Sequence, residues 1–248
     1  MSGSSAGADK PLARGWGSGA VSTETAALRR RFPTVEHLDR QARRRIPRFA
    51  YDFVAGGVGD DLCVRRNRAA MEAVQLLPRY GIDVAQPETA VELFGRRYAM
   101  PAGIAPMGLA GLAWPGVDEL LARAAQAARI PYVSSTVANA PLERLAALAP
   151  DVFWFQLYNL PGDDFAVARA LVARAEAAGA HVLVLTLDVP SRQKRPRDVR
   201  NGLAVPFRPS LRTVLDVARA PLWGMATLRH GQPRFENFLP YLEEPPGT

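Results

Sequence analysis

The chain has 248 residues, of which 48% are hydrophobic, and carries a net charge of +7 with three histidines and one cysteine. It has no apolar run of the 18 or more residues that a membrane span needs. One cysteine excludes an internal disulfide, and the Gly/Ser/Ala-rich first twenty residues have no apolar core of a secretory signal. The charge is local: residues 191–234 hold ten cations against two acids, and the rest of the chain is close to neutral. A nucleic-acid footprint over the whole domain is therefore not expected.

Residues 1–30 read as a disordered tail and 31–248 as a folded domain, with 191–248 a basic loop region. Thr34 offers an N-cap to a helix in which Val35, Leu38 and Ala42 recur at helical spacing. A second helix runs from Pro47 to Ala55 and ends at Gly56-Gly57. Asp60-Asp61 place acids at the positive end of a third, Leu62–Val74. Cys63, on that helix, reads as a packing residue. Val91–Phe94 and Tyr98–Met100 flank Gly95-Arg96 as a hairpin.

From there short apolar runs alternate with helical patterns. Ala102–Ala105, Tyr132–Ser135, Val152–Leu157 and His181–Leu187 read as strands. Val117–Arg129, Pro141–Leu148 and Asp163–Ala178 read as the helices between them, the last stopped by Gly179. Continuous apolar strands separated by helices mean a parallel α/β sheet. Four such units make half of an eight-stranded (β/α)₈ TIM barrel, so the expected fold is the N-terminal half of that barrel, preceded by helices and a hairpin. Gly57-Val58-Gly59 follows a helix, the wrong context for a dinucleotide loop. After Pro190 the prolines at 196, 206, 209, 221 and 233 break the rhythm, leaving one amphipathic stretch, Leu211–Ala220.

In such a barrel, reactive groups stand at the C-terminal ends of the strands. That rule selects Ala105 to Gly108, Ser135-Thr136 with Asn139, Gln156-Leu157-Tyr158, and Thr186-Leu187-Asp188 with Arg195 beyond. Gln156 and Tyr158 share one strand face, as do Thr186 and Asp188. Two readings stand: a polar layer closing the barrel top, or a planar polar ligand held by converging hydrogen bonds. No Cys/His/Asp cluster has metal-ligand spacing, so no metal is expected.

Several motifs in order resemble the FMN-dependent 2-hydroxy acid dehydrogenase and oxidase family, which includes glycolate oxidase, L-lactate dehydrogenase and mandelate dehydrogenase. They are Ile46-Pro47 leading to Tyr51-Asp52-Phe53 and Gly56-Gly57, Asn67-Arg68, Met100-Pro101 leading to Ile104-Ala105-Pro106, Ser135-Thr136, Trp154 to Tyr158, Thr186-Leu187-Asp188, and Arg195 with Arg197-Asp198. Arg229-His230-Gly231, Pro233, Asn237-Phe238 and the loop Gly108–Trp114 look most like the mandelate branch.

The resemblance implies FMN as cofactor and oxidation of an L-2-hydroxy acid to the 2-oxo acid. It implies that Pro106, Met107 and Gly108 line the flavin with their backbone, and that Ser135, Gln156 and Thr186 hydrogen-bond its edge. Tyr158 would touch flavin and substrate, and Arg195 would pair with the substrate carboxylate, an anion that suits a bidentate guanidinium. Asp188 would orient a catalytic histidine and stabilise its charged form. Phe53 stands where the family carries a tyrosine that reaches the substrate carboxylate, and Met107 where a small or β-branched residue is usual.

The family's Asn-His-Gly-Gly-Arg segment, with its catalytic histidine, is not in the sequence, nor are the flavin N1 lysine and the phosphate-gripping turns. The expectation is a fragment that is inactive alone, working as a homo-oligomer or with a complementing C-terminal half. The alternative is a non-catalytic truncated product or interaction module. For 191–234 two readings stay open: a solvated loop over the active site, or contact with an anionic membrane surface through its arginines, Trp223 and leucines. A cytoplasmic setting is expected, at the inner face of the cytoplasmic membrane on the second reading.

Overall fold

In a computed structural model of the chain, the described residues are 22–83, 85, 87–187, 195–203 and 210–242. Residues 23–30, expected as part of a tail, are helical. Helix α1, Thr23–Arg31, begins at Ser22, whose hydroxyl accepts the Thr25 N–H at 3.2 Å, an N-cap that satisfies one of the free donors of the first turn. Residues 1–21 lie outside the described residues. Helices α2 (Val35–Arg45), α3 (Arg48–Ala55) and α4 (Leu62–Glu72) follow as expected, with Thr34 and Pro47 at N-cap positions and Gly56 closing α3. Cys63 is exposed rather than packed, because α4 buries none of its residues.

Strands β1 (Val91–Leu93) and β2 (Arg96–Tyr98) form the expected antiparallel hairpin. Short helix α5 (Ala110–Ala113) and the longer α6 (Val117–Ala128) precede β3 (Tyr132–Ser135). Helix α7 (Leu142–Leu148) leads to β4 (Phe153–Tyr158), and α8 (Gly162–Ala177) to β5 (Val182–Thr186). These three strands pair in parallel in the order β3-β4-β5, with Ser135 opposite Gln156 and Tyr158 opposite Thr186.

Ala102–Ala105, expected as a full strand, contributes a single parallel bridge from Ile104 to Tyr132. Pro101 and Pro106 flank it and carry no N–H to extend a ladder. Ile104 spends both of its backbone groups on this one register, donating to Pro131 O and accepting from Val133 N.

The sheet has two different faces. Phe153, Phe155 and Leu157 pack with Leu142 and Leu145 of α7 and Leu171 and Ala175 of α8, all nearly or fully buried. On the opposite face stand Trp154, Gln156 and Tyr158, as the two-residue strand period requires. The hairpin closes the N-terminal end of this second face. Trp154 Nε1 donates to Tyr98 Oη at 2.9 Å, and the Trp154 ring meets Phe94 and Tyr98 edge-on, with centroids 5.4 and 5.9 Å apart. The arrangement is part of a TIM-type β/α barrel, with the hairpin at its base.

The segment expected as loop is largely helical where it is described. It holds α9 (Pro196–Arg200), α10 (Leu211–Ala218), α11 (Pro221–His230) and α12 (Leu239–Leu242). Pro196 and Pro221 start helices instead of breaking them, because each sits in the first turn, where a missing N–H costs nothing. Ser210 and Thr213 form a reciprocal cap at the start of α10. A second core joins this region to the front helices. Trp223 meets Phe49 edge-on at 5.8 Å and donates to Leu112 O at 3.0 Å, with Ala50 and Ala220 buried beside them.

Candidate functional site

At the C-terminal ends of β3, β4 and β5, three residues expected to hold a ligand are joined to one another. Ser135 Oγ donates to Gln156 Oε1 at 3.2 Å, and Gln156 Nε2 donates to Thr186 Oγ1 at 2.7 Å. The Thr136 N–H also donates to Gln156 Oε1, at 3.3 Å. The Thr136 hydroxyl ties the two strands directly, donating to Gln156 O at 2.6 Å and accepting from the Tyr158 N–H at 3.1 Å. Ser135, Thr136 and Gln156 are buried, where unpaired polar groups would each cost about 1–3 kcal/mol. The polar row is therefore a positioned set and not a hydrated rim.

Tyr158 follows Gln156 on the same strand face and is half-buried. The Pro106–Gly108 backbone comes next to this row from the Ile104 side. Leu109 N donates to Val137 O at 3.2 Å, and a Cβ at Gly108 would stand 2.6 Å from Val137 Cγ2. Glycine allows that approach, and Met107 beside it is exposed. Asp188, at the end of the same row in sequence, lies outside the described residues.

Arg195 is not free at the mouth of the barrel. It is held by the front helix α3. Its guanidinium donates to Phe53 O and, at 2.9 Å, to Gly56 O. It lies 4.9 Å over the Phe53 ring and pairs with Asp198 at 3.3 Å. The neighbouring Arg197 donates to Asp61 and stands 3.9 Å from Asp52, while Asn201 Nδ2 donates to Asp52 at 2.8 Å. Burial pushes the Asp198 carboxyl up, against the opposing pull of Arg195. Hydrogen bonding from the Gly57 N–H holds Asp61 below the usual carboxylate range, with Arg197 assisting. Sequence spacing brought Arg195 to this end of the barrel, but not its seat on Phe53.

Two asparagines singled out in the sequence, Asn139 at a strand end and Asn237 in a branch motif, bond groups distant in the chain. Asn139 accepts the Gly111 N–H at 2.7 Å and donates to Arg234 O at 2.8 Å. Its own N–H donates to Asp118, a buried carboxyl pushed up mainly by desolvation. Asn237, fully buried, bonds the ends of β3 and α7. Each of these contacts spans more than twenty residues, beyond any local pattern. The three histidines lie elsewhere. His37 bonds Thr34 at the start of α2, His181 bonds Phe94 O at the hairpin end of the barrel, and His230 packs on Gly116.

An isoalloxazine pyrimidine edge alternates carbonyl acceptors with an N–H donor. A carboxamide flanked by two hydroxyls offers both kinds of partner to it. The residues present fit FMN.

The comparisons agree. A family model described as FMN-dependent dehydrogenase matches residues 42–244. The chain is 37% identical over 205 residues to (S)-mandelate dehydrogenase of Pseudomonas putida, covering 83% of this chain and 51% of that protein. It is 36% identical over 207 residues to L-lactate dehydrogenase of Caulobacter vibrioides, covering 83% and 53%. A crystal structure of the monotopic membrane protein (S)-mandelate dehydrogenase superposes with a TM-score of 0.77 at 36% identity, covering 83% of this chain and 54% of that one. The chain spans about half the length of the curated relatives it matches. With the hydrogen-bonded row Ser135–Gln156–Thr186 at the strand ends, these matches show that the chain belongs to the FMN-dependent dehydrogenase family.

Proposed function

We propose that this chain supplies the flavin edge and the carboxylate grip of an enzyme that oxidises an L-2-hydroxy acid, lactate- or mandelate-like, to the 2-oxo acid. The observation that carries the reading is the hydrogen-bonded row from Ser135 through Gln156 to Thr186 across three parallel strands. FMN, when bound, would supply the acceptor for the two electrons that leave the substrate's α-carbon. Ser135, Gln156 and Thr186 hold the flavin's edge, and the backbone of Pro106, Met107 and Gly108 lines one side of the ring. Tyr158 faces both flavin and substrate, and Arg195 pairs with the substrate carboxylate. Phe53 sets the height of Arg195 through the stacked ring. Asp188, by its place in the sequence, orients the imidazole that takes the substrate's proton.

We further propose that the chain does not turn over substrate by itself. None of its histidines stands with the flavin row: His181 is at the opposite end of the barrel, and His37 and His230 are engaged on α2 and against α6. The base comes from a complementing second half. A chain that bound no flavin would instead be a non-catalytic product or an interaction module. The test is to titrate the purified chain with FMN and then add L-lactate or L-mandelate with an electron acceptor. Saturable flavin binding without bleaching is expected. Absence of binding overturns the flavin reading, and bleaching overturns the incompleteness.

One observation favours a membrane-surface role for the basic region. Leu211, Val214 and Leu215 form an exposed apolar stripe on α10, and Leu222, Met225 and Leu228 form another on α11. Arg212, Arg219 and Arg229 lie among them. Among the described residues no helix is long and apolar enough to cross a membrane, so the contact would be peripheral. Flotation with anionic but not neutral vesicles is the expected result, and equal behaviour with both removes this reading.

A further inference from the structure

Asn237 is fully buried and makes three side-chain hydrogen bonds, each to a residue about a hundred positions earlier in the chain. Its Oδ1 accepts the Leu142 N–H at 2.9 Å. Leu142 is the first residue of α7, and the N-cap there is Pro141, which offers no side-chain acceptor. Asn237 therefore caps a helix from a distant part of the sequence. Its Nδ2 donates to Ser135 O and Thr136 O, at 3.3 Å each. Those two carbonyls close the end of β3, directly behind the Ser135 hydroxyl that begins the proposed flavin row.

The residue is itself fixed through its backbone. The Asn237 main-chain O accepts from Arg174 at 3.1 Å. Arg174 is gripped by both carboxylate oxygens of Glu143, at 2.7 and 3.1 Å, and lies over the Tyr241 ring. The turn at Ser135-Thr136 is thus clamped from two sides. Thr136 Oγ1 ties it to β4, and Asn237 ties it to α7.

We propose that Asn237 is a positioning residue for the flavin edge. It sets the direction of Ser135 Oγ, and through it the Gln156 carboxamide, by holding the two carbonyls behind them. The proposal rests on the flavin reading for what the row binds. Asn237→Asp keeps the acceptor for Leu142 but places a carboxylate against two carbonyl oxygens. Asn237→Ser removes the reach altogether.

FMN affinity, read by quenching of flavin fluorescence, is expected to weaken at least tenfold in both variants. Exchange of the Thr136 and Val137 N–H groups is expected to accelerate. Leu171→Ala is the control, since it empties a fully buried core position on α8 without touching the row, and its FMN affinity should stay near that of the wild type. Equal weakening in Leu171→Ala would mean that lost stability alone explains the effect, and would overturn the proposal. So would variants with unchanged affinity and unchanged exchange.

If the wild-type chain binds no FMN, the flavin reading falls, and the exchange of Thr136 and Val137 alone decides whether Asn237 holds the turn. If neither variant folds, the wild-type Asn237 carboxamide signals decide: a shift on adding FMN supports the proposal, and none overturns it.

Discussion

Arg195 and Phe53 are joined twice: the guanidinium lies 4.9 Å over the Phe53 ring and donates to the Phe53 carbonyl. A cation over an aromatic face gains about 0.5–1 kcal/mol when partly exposed. The family's tyrosine at this position would keep the stack and add a hydroxyl. Phe53→Tyr is therefore expected to tighten binding of a 2-hydroxy acid by about tenfold, which corresponds to one added hydrogen bond of about 1.4 kcal/mol. The flavin spectrum of the FMN-loaded chain during substrate titration measures it. An unchanged dissociation constant would mean that the carboxylate does not sit within reach of position 53.

Gln156 satisfies partners on two neighbouring strands at once. Gln156→Leu leaves the Ser135 hydroxyl, the Thr136 N–H and the Thr186 hydroxyl without it. Stability should fall by about 1–3 kcal/mol for the groups left buried and unpaired, read as a lower urea midpoint, and FMN affinity should fall with it. Loss of stability with full FMN affinity would show that this row is structural and the flavin lies elsewhere.

Asp118 carries a pH signature. Burial raises its carboxyl above the ordinary value of 3.8, with the Asn139 N–H opposing and Glu119 adding to the rise. Between the ordinary and the raised value, the folded chain keeps a proton that the unfolded chain releases. Stability contributed at this site therefore falls as pH rises through that window. Glu119 and Glu143, held low by Arg144 and Arg174, slope the other way. The difference between wild type and Asp118→Asn isolates the site. The wild type should lose urea stability relative to the variant as pH rises above about 4, and a difference that does not change with pH would refute this.

Strand β5 has a neighbour on one side only among the described residues. Its outer-face residues Leu183 and Leu185 are 48% and 56% exposed, although Phe155 and Leu157, their partners on β4, are buried. An apolar edge of this kind invites association. Leu185→Lys is expected to lower the concentration-dependent association of the chain seen in sedimentation velocity, while leaving FMN binding intact. Association equal to that of the wild type would place the sticky surface elsewhere.

The parts of the fold legible in the sequence are those whose signal is local. The runs 132–135, 153–158 and 182–186 are apolar and bounded by helices, and the structure makes them parallel strands within a residue or two. Gly179 ends α8 with a positive φ of 86°, the backbone state in which glycine pays no steric penalty. The errors came where one residue type serves two ends. Pro196 and Pro221 read as breakers and are helix starts. Ala102–Ala105 has the composition of a strand, but its flanking prolines leave Ile104 alone to pair.

The site was legible in the same uneven way. Ser135, Gln156 and Thr186 could be placed at strand ends by counting, and they meet. The pose of Arg195 depends on the Phe53 and Gly56 carbonyls, about 140 residues away in sequence. Asn139 and Asn237 were visible as motif residues, but their side chains bond distant backbone groups, which carry no residue identity from which the pairing could be read.

The distance in sequence between Ser135 and Asn237 fixes an order of events during synthesis. The separation of 102 residues takes about 5–20 seconds to translate at about 5–20 residues per second. During that interval β4 and β5 are made and can pair with β3, but the turn behind Ser135 has no clamp. A flavin that arrives early meets an unfinished edge, so cofactor uptake belongs after residue 237 has left the ribosome and docked.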